Sequence, residues 1–268
     1  MPGTRMKPFH TSLEVLFTPA EFALLRQRDL SGAVCVVFDV LRATSSMATA
    51  LANGASAIIP VAEIPEALRI RERDPDVLLA GERDGLRIQS DRTGSVAFDL
   101  GNSPREFTRE MVSGKTIAIT TTNGTRALRA CAGAKTVLAA SFLHLRATAE
   151  CLAEATDLIL VCSGTLDQAA YEDVLAAGAM CDLLWPTHSA GAVADSAQIA
   201  RWLYLLEKSD LFAAMAKSRN GRRLLANPDL RDDVAYCLQR DIFTTVAELG
   251  KDGAVRTRNP LRADARRL

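Results

Sequence analysis

Net charge is absent from this chain: 32 basic residues are matched by 32 acidic ones. A balanced surface lacks the electrostatic footprint that nucleic acids or anionic membranes require. Aromatic residues make up only 5% of the sequence, too few for a platform that stacks single-stranded bases. Histidine is scarce as well. His10, His144 and His188 stand in unrelated contexts, which disfavours histidine-based chemistry, and His144 is expected on the surface of a helix. The six cysteines form no C-x-x-C pair and lie mostly in apolar runs, so neither a zinc site nor a disulfide framework is suggested. That usage fits a reducing compartment. No apolar run reaches the length of a membrane span, and the N-terminal stretch lacks the apolar core of a leader peptide. The expectation is a cytoplasmic protein with no membrane and no nucleic-acid partner.

What is present is apolar bulk, 48% of 268 residues, enough for one large α/β domain or two small ones. The organising stretch is residues 34–55, VCVVFDVLRATSSMATALANGA. Five apolar residues, 34–38, suit a strand buried on both faces. Asp39 ends the run, Arg42 follows, and Thr44, Ser45 and Ser46 place three hydroxyls where a helix should begin. Met47, Ala50, Leu51 and Gly54 share one helical face. An acid, a guanidinium, hydroxyls and free helix amides thus gather at the carboxyl end of a strand, where α/β sheets bind ligands. Helix amides and Arg favour an anion, and a carboxylate beside them favours a metal.

The same order recurs. Residues 116–120 form a strand, 121–125 a polar loop and 126–132 a helix; residues 158–162, 163–165 and a helix from about Glu172 repeat it again. Helix, Gly-Ala and strand occur both in NGASAIIPVA and in AGAKTVLAAS. The spacing is too irregular for a solenoid and suggests related α/β halves. We expect two similar α/β domains with mainly parallel or mixed sheets flanked by helices, divided as 1–142 and 143–268. After residue 190 the pattern is mainly helical, with Asp210 and Asp232 as N-caps, a last strand over 242–247 and a mobile basic tail over 251–268.

Single loops of this kind are ordinarily helix caps. Three in one chain, two with an acid close by, shift the reading toward an anion site. Asp39 suits an Asx turn as well as a functional role. Glu82, between Gly81 and Arg83, suits a solvated turn, and Glu172-Asp173 suits an acidic first turn. Together the acids make a candidate magnesium site, because Mg²⁺ takes oxygen ligands and often bridges to phosphate. Arg42 and Arg126 are candidates to neutralise phosphoryl charge, with Arg126 the weaker. Familiar phosphate motifs are missing. There is no G-x-x-x-x-G-K-[ST] and no Rossmann glycine fingerprint, and Asp39-Val40-Leu41 lacks the second aspartate of an aspartyl-phosphate D-x-D motif. Cys162-Ser163-Gly164-Thr165 has Gln168 where a thiol phosphatase needs arginine, so Cys162 is expected in the core.

These segments, Asp39 to Ser46 (DVLRATSS), Gly81-Glu82-Arg83, Gly101-Asn102-Ser103-Pro104, TTTNGTRA ending at Ala127, and Glu172-Asp173, resemble in kind and order the 2-phosphosulfolactate phosphatases (the ComB family). The likeness spans residues 15–246. It implies a magnesium-dependent phosphatase that cleaves 2-phospho-3-sulfolactate to 3-sulfolactate and phosphate in coenzyme M biosynthesis, and a homodimer. On that footing we expect Asp39, Glu82 and Asp173 to hold Mg²⁺ and Asp39, Arg42 and Glu82 to be catalytic. Ala43, Thr44, Ser45, Ser46, Thr121, Thr122, Asn123, Gly124, Thr125 and Arg126 would bind phosphate, with Asn102 and Ser103 at the carboxylate or sulfonate end. The nucleophile is either a water activated beside the cation or Asp39 itself. Asp84 departs from the family's usual glycine, and residues 87–97 are longer than its usual link. The competing readings are a non-catalytic sensor for a small phosphorylated or sulfonated acid and a phosphotransferase with another acceptor.

Overall fold

The structure, a computed structural model, describes residues 11–258. His10 and the end of the basic tail lie outside the described residues. Eleven strands build one sheet: β1 (Ser12–Leu16), β2 (Val34–Phe38), β3 (Ala57–Pro60), β4 (Leu78–Arg83), β5 (Leu86–Arg87), β6 (Thr116–Thr120), β7 (Thr136–Ala140), β8 (Asp157–Cys162), β9 (Ala192–Val193), β10 (Ala247–Leu249) and β11 (Val255–Thr257). Their order is β5-β4-β6-β3-β11-β10-β7-β2-β8-β1-β9. Helices flank this mainly parallel sheet, as expected for an α/β chain. Among the described residues no helix is long and apolar enough to cross a membrane.

Two parallel blocks make up the sheet. In one, β2 lies between β7 and β8, in register Phe38↔Ala140 and Phe38↔Cys162, and β1 continues beyond β8. In the other, β6 lies between β3 and β4, with Gly81 opposite Thr120. The antiparallel hairpin β10–β11 joins them, β10 against β7 and β11 against β3.

The apolar runs become strands because both of their faces are covered. Val36, Phe38, Leu138, Ala140, Leu158 and Leu160 enter one core with the helix Tyr171–His188. Cys35, Val37, Val137, Ala139, Ile159 and Val161 enter a second core with Met47, Ala50 and Leu51 of the helix Ala43–Ala52. This is the two-residue alternation of a strand with apolar side chains on both sides. Full burial of each large aliphatic or aromatic side chain stabilises the fold by about 1.5–3 kcal/mol. Gly178 lets the helix Asp195–Glu207 approach the helix Tyr171–His188, since a methyl there would stand 2.0 Å from the Ala200 carbonyl oxygen.

The second core also holds Ile58, Ile117, Ile119 and Leu128 from the other block. Sharing a core requires the sheet to curl. At about 4.8 Å per strand, five spacings would put β2 and β6 about 24 Å apart in a flat sheet. Yet Gly124, just after β6, adjoins Asp39, just after β2. The curl therefore brings the carboxyl ends of β2, β4 and β6 together.

Four expectations are corrected. His144 is buried and not on a helix surface: the short turn Phe142–His144 tucks it beneath β7, where its ring nitrogens meet the Ala139 carbonyl at 3.0 Å and the Ser141 hydroxyl at 3.3 Å. The last strand is not 242–247, because pairing with β7 begins only at Ala247. The tail from 251 is not wholly loose: Val255–Thr257 is a strand paired on both sides, and Val255 is buried in the shared core. Asp232 lies in the first turn of the helix Arg231–Cys237, whose N-cap is Leu230. Asp210 caps its helix as expected, accepting from the Ala213 amide at 2.9 Å.

Candidate active site

Asp39 leaves β2 as the last buried strand residue gives way to a turn. Its Oδ1 accepts the Ala43 amide at 3.3 Å, and the Gly124 amide also bonds to it. Gly124 is required by contact: a Cβ there would stand 2.7 Å from Asp39 Oδ2 and 2.7 Å from Ala43 Cβ. The DVLRATSS turn and the TTTNGTRA turn therefore touch at the carboxylate.

Glu82 closes the third side. Its Oε1 accepts from the Thr122 amide at 3.0 Å and the Thr122 hydroxyl at 2.8 Å, and its Oε2 accepts the Gly85 amide at 2.7 Å. Gly81 has φ 149°, and a Cβ there would overlap the Thr120 carbonyl oxygen at 2.2 Å, so only glycine lets β4 pass β6 here. Glu82 and the Thr122 segment are thus held as one unit.

The two acids that open the helix Tyr171–His188 face the same region. Asp173 accepts the Val40 amide at 2.9 Å on Oδ1 and the Gly164 amide at 3.1 Å on Oδ2, tying the turn after β2 to the turn after β8. Glu172 accepts from Asn220 at 2.5 Å through Oε1, while its buried Oε2 has no partner among the described residues. Burial pushes the Asp39 carboxyl up to about 7, and the Glu82 and Glu172 charges add to this while the Ala43 and Gly124 amides oppose it. Burial likewise pushes Asp173 well above the carboxylate range, with Asp39 and Glu172 adding to it. Burial raises Glu172 too, against the Asn220 hydrogen bond. Arg219 and Arg223 partly offset the rise at Glu172, but burial dominates for all three acids.

Arg42 is buried beside these acids. Its Nη1 donates to Asp233 at 2.8 Å and its Nη2 to the Gly85 carbonyl at 2.6 Å. A guanidinium has five N–H donors, so others remain for an anion.

The hydroxyls of the first turn serve the backbone. Thr44 Oγ1 accepts from the Asp39 amide and donates to the Asp39 carbonyl, Ser45 donates to the Val40 carbonyl, and Ser46 donates to the Asn102 carbonyl at 2.7 Å. Thr125 donates to the Thr121 carbonyl. Asn123 is the N-cap residue of the helix Gly124–Ala130. Ser103 donates to Asp233 at 2.6 Å. Asn102 Oδ1, Thr121 Oγ1 and Ser163 Oγ are buried with no partner among the described residues. Buried orphans cost about 1–3 kcal/mol each and often mark places where a ligand completes the set. Arg126 is not drawn in: half exposed, it pairs with Asp167 at 3.0 Å on the surface.

Asp233 and Asn220 escaped sequence reasoning. The available signal was spacing: Asp233 lies one helical turn before the buried Cys237, an acid on an apolar face.

Among the described residues no three Asp, Glu, His or Cys side chains gather as a ready-made metal cage. Mg²⁺ seldom needs one, since it takes one or two carboxylates and completes its shell with waters and substrate phosphate. Asp39 and Glu82 supply such a pair, the donors around them are oxygens, and Asp39 is held uncompensated. The residues fit the ion. Glu82 and Asp173 each have both oxygens engaged by donors, so a cation there would share an oxygen that already accepts, whereas Glu172 keeps one oxygen open among the described residues.

Residues 20–252 match the family model described as 2-phosphosulpholactate phosphatase. A protein of Caldanaerobacter subterraneus named "Probable 2-phosphosulfolactate phosphatase" is 39% identical over 236 residues, 87% of this chain and 94% of its own. Proteins of the same name from Thermotoga petrophila and Clostridium novyi are 40% and 34% identical, covering 80% and 84% of this chain and 88% and 92% of theirs.

Proposed function

The chain belongs to the 2-phosphosulfolactate phosphatase family and is a phosphoric monoester hydrolase; from that premise we propose that it uses Mg²⁺ to hydrolyse 2-phospho-3-sulfolactate to 3-sulfolactate and phosphate. One observation carries the reading: buried Asp39, with Glu82 close enough to raise its proton affinity, touches the Gly124 turn, and the buried Arg42 guanidinium donates to Gly85, whose amide Glu82 accepts. A cation held by Asp39 and Glu82 would offset the charge of the carboxylates and of the phosphoryl group.

The remaining work falls to the chain itself. Arg42 offers its unengaged N–H groups to phosphoryl oxygens, in a buried setting where such bonds strengthen as charge moves onto them. The Thr121 hydroxyl, without a partner among the described residues, is available to the same group. Glu82 fixes Thr122, and Asp39 fixes Gly124, so the loop that meets the phosphate is preorganised. Asn102 Oδ1 is free to accept from a water or a hydroxyl of the substrate. Hydrolysis joins a water oxygen to phosphorus, breaks the bond from phosphorus to the C2 oxygen, and returns a proton to that oxygen.

The test is phosphate release from 2-phospho-3-sulfolactate and a panel of other 2-phospho acids, with Mg²⁺ and with EDTA. Release that needs the metal and prefers the sulfonated substrate supports the reading. Release unaffected by EDTA, or none from any member of the panel, refutes it.

A further inference from the structure

Arg42 does not hold its own position. It lies in a turn, and its guanidinium is set by a residue that the sequence places about 190 positions away. Asp233, on the helix Arg231–Cys237, is fully buried. Oδ2 takes Arg42 Nη1 at 2.8 Å; Oδ1 takes the Ser103 hydroxyl at 2.6 Å and Arg105 Nε at 2.8 Å. Arg105 also donates to the Asp229 carbonyl at 2.9 Å and pairs with Asp232 at 3.5 Å, fastening the other end of the network to the same helix region.

Two features separate this from an ordinary buried ion pair. First, one fully buried carboxylate joins two guanidinium groups: it is the carboxylate partner of buried Arg42, while Arg105 also pairs with Asp232 nearer the surface. Second, the three donors come from two of the segments assigned to substrate: Arg42 from the turn after β2, and Ser103 and Arg105 from the segment following Asn102. Charge-assisted bonds of this kind fix direction as well as distance. With Nη1 on Asp233 and Nη2 on the Gly85 carbonyl, the guanidinium plane has no freedom to turn.

We infer that Asp233 is a positioning residue for phosphate: it orients Arg42 from the C-terminal helices and registers the Asn102–Ser103 segment against it. The inference rests on the phosphatase reading for its ligand but concerns a residue that the reading does not use. It also gives the C-terminal helices a part in the site.

The test is a double-mutant cycle of Arg42→Gln and Asp233→Asn, read both as kcat/KM and as the Kd of inorganic phosphate by calorimetry, with circular dichroism to establish folding. Asp233→Asn should lower kcat/KM and weaken phosphate binding at least tenfold. The double variant should match Arg42→Gln within about threefold, because couplings through one network are non-additive. Multiplying losses, or an Asp233→Asn protein within threefold of wild type in both measurements, overturns the inference. A buried arginine left unpaired can prevent folding. Asp233→Glu therefore accompanies it, keeping the charge but displacing the carboxylate by one methylene. It should fold and still weaken phosphate binding at least fivefold; unchanged binding overturns the inference. If wild type neither binds nor releases phosphate, the phosphatase reading fails instead, a result distinct from each of these.

Discussion

Replacing Asp39 with Asn should make the metal-free protein more stable while removing its activity. In the folded chain the Asp39 carboxyl is held at about 7 against an ordinary value of 3.8, first by burial and then by Glu82 and Glu172. A folded value above the unfolded one means stability that is whole below pH 3.8 and lost as pH rises through about 7. At pH 8 the loss approaches about 4 kcal/mol, of which about 2–3 kcal/mol accrues between pH 5 and pH 8. Asparagine carries no charge, so it escapes this cost. It still accepts the Ala43 amide, but its NH₂ group accepts nothing, and a lost acceptor for one amide costs about 1–3 kcal/mol. The net gain at pH 8 is about 1–3 kcal/mol, or about 2–4 °C in Tm per kcal/mol for a chain of this size. The assay is urea and thermal unfolding of both proteins in EDTA at pH 5 and pH 8, alongside phosphate release. The variant should gain on wild type as pH rises and lose at least about a hundredfold in kcat, a size typical of losing a preorganised charge at the reacting group. Mg²⁺ should stabilise wild type by about 3 kcal/mol at a hundred times its Kd and leave the variant nearly unmoved. A stability difference that does not change with pH would refute the electrostatic reasoning.

Three further outcomes follow from the same geometry. Gly124→Ala forces a methyl against Asp39 Oδ2 and Ala43 Cβ, both at 2.7 Å, and should cost about 1–3 kcal/mol in urea unfolding and at least tenfold in kcat; wild-type behaviour would show that the two turns do not meet. Burial lowers the His144 pKa, so the native state refuses a proton that the unfolded chain accepts: its contribution is whole above about pH 6.5 and falls below that. His144→Gln should therefore lose less stability than wild type between pH 7.5 and pH 5.5, and an identical loss would contradict the assignment. Single-turnover hydrolysis in ¹⁸O-labelled water, followed by mass spectrometry, should place label in phosphate; label in the Asp39 carboxylate would make that side chain the nucleophile.

Much of the fold is local enough to read from sequence. The runs at 34–38, 116–120 and 158–162 are strands because that placement buries nearly all of their residues on both faces, and hydroxyls and glycine interrupt each run before the next helix. What one sequence does not display is pairing across distance. The β10–β11 hairpin is short and half polar, so nothing local says that it joins the two blocks of the sheet. The hydroxyls of Thr44, Ser45 and Ser46 announce a helix start, but whether they face a ligand or their own backbone depends on the turn, and here they face the backbone. Asp39 and Glu82 stand out in the sequence because each sits at or near the end of an apolar strand run, and Gly124 because it lies in a hydroxyl-rich loop at a helix start; that the three adjoin is visible only in the structure. Asp233 was not, because an acid in RDDVAYC reads as surface until the helix is seen to turn it inward. His144 was misplaced for the same reason.

The most direct test of the central claim is a crystal structure of the protein soaked with Mn²⁺ in place of Mg²⁺ and with inorganic phosphate. Anomalous density should lie about 2 Å from carboxylate oxygens of Asp39 and Glu82, with phosphate between that ion, Arg42 and the Thr121–Thr125 turn. Manganese bound elsewhere, or phosphate seated away from Arg42 with Asp39 untouched, would contradict the account.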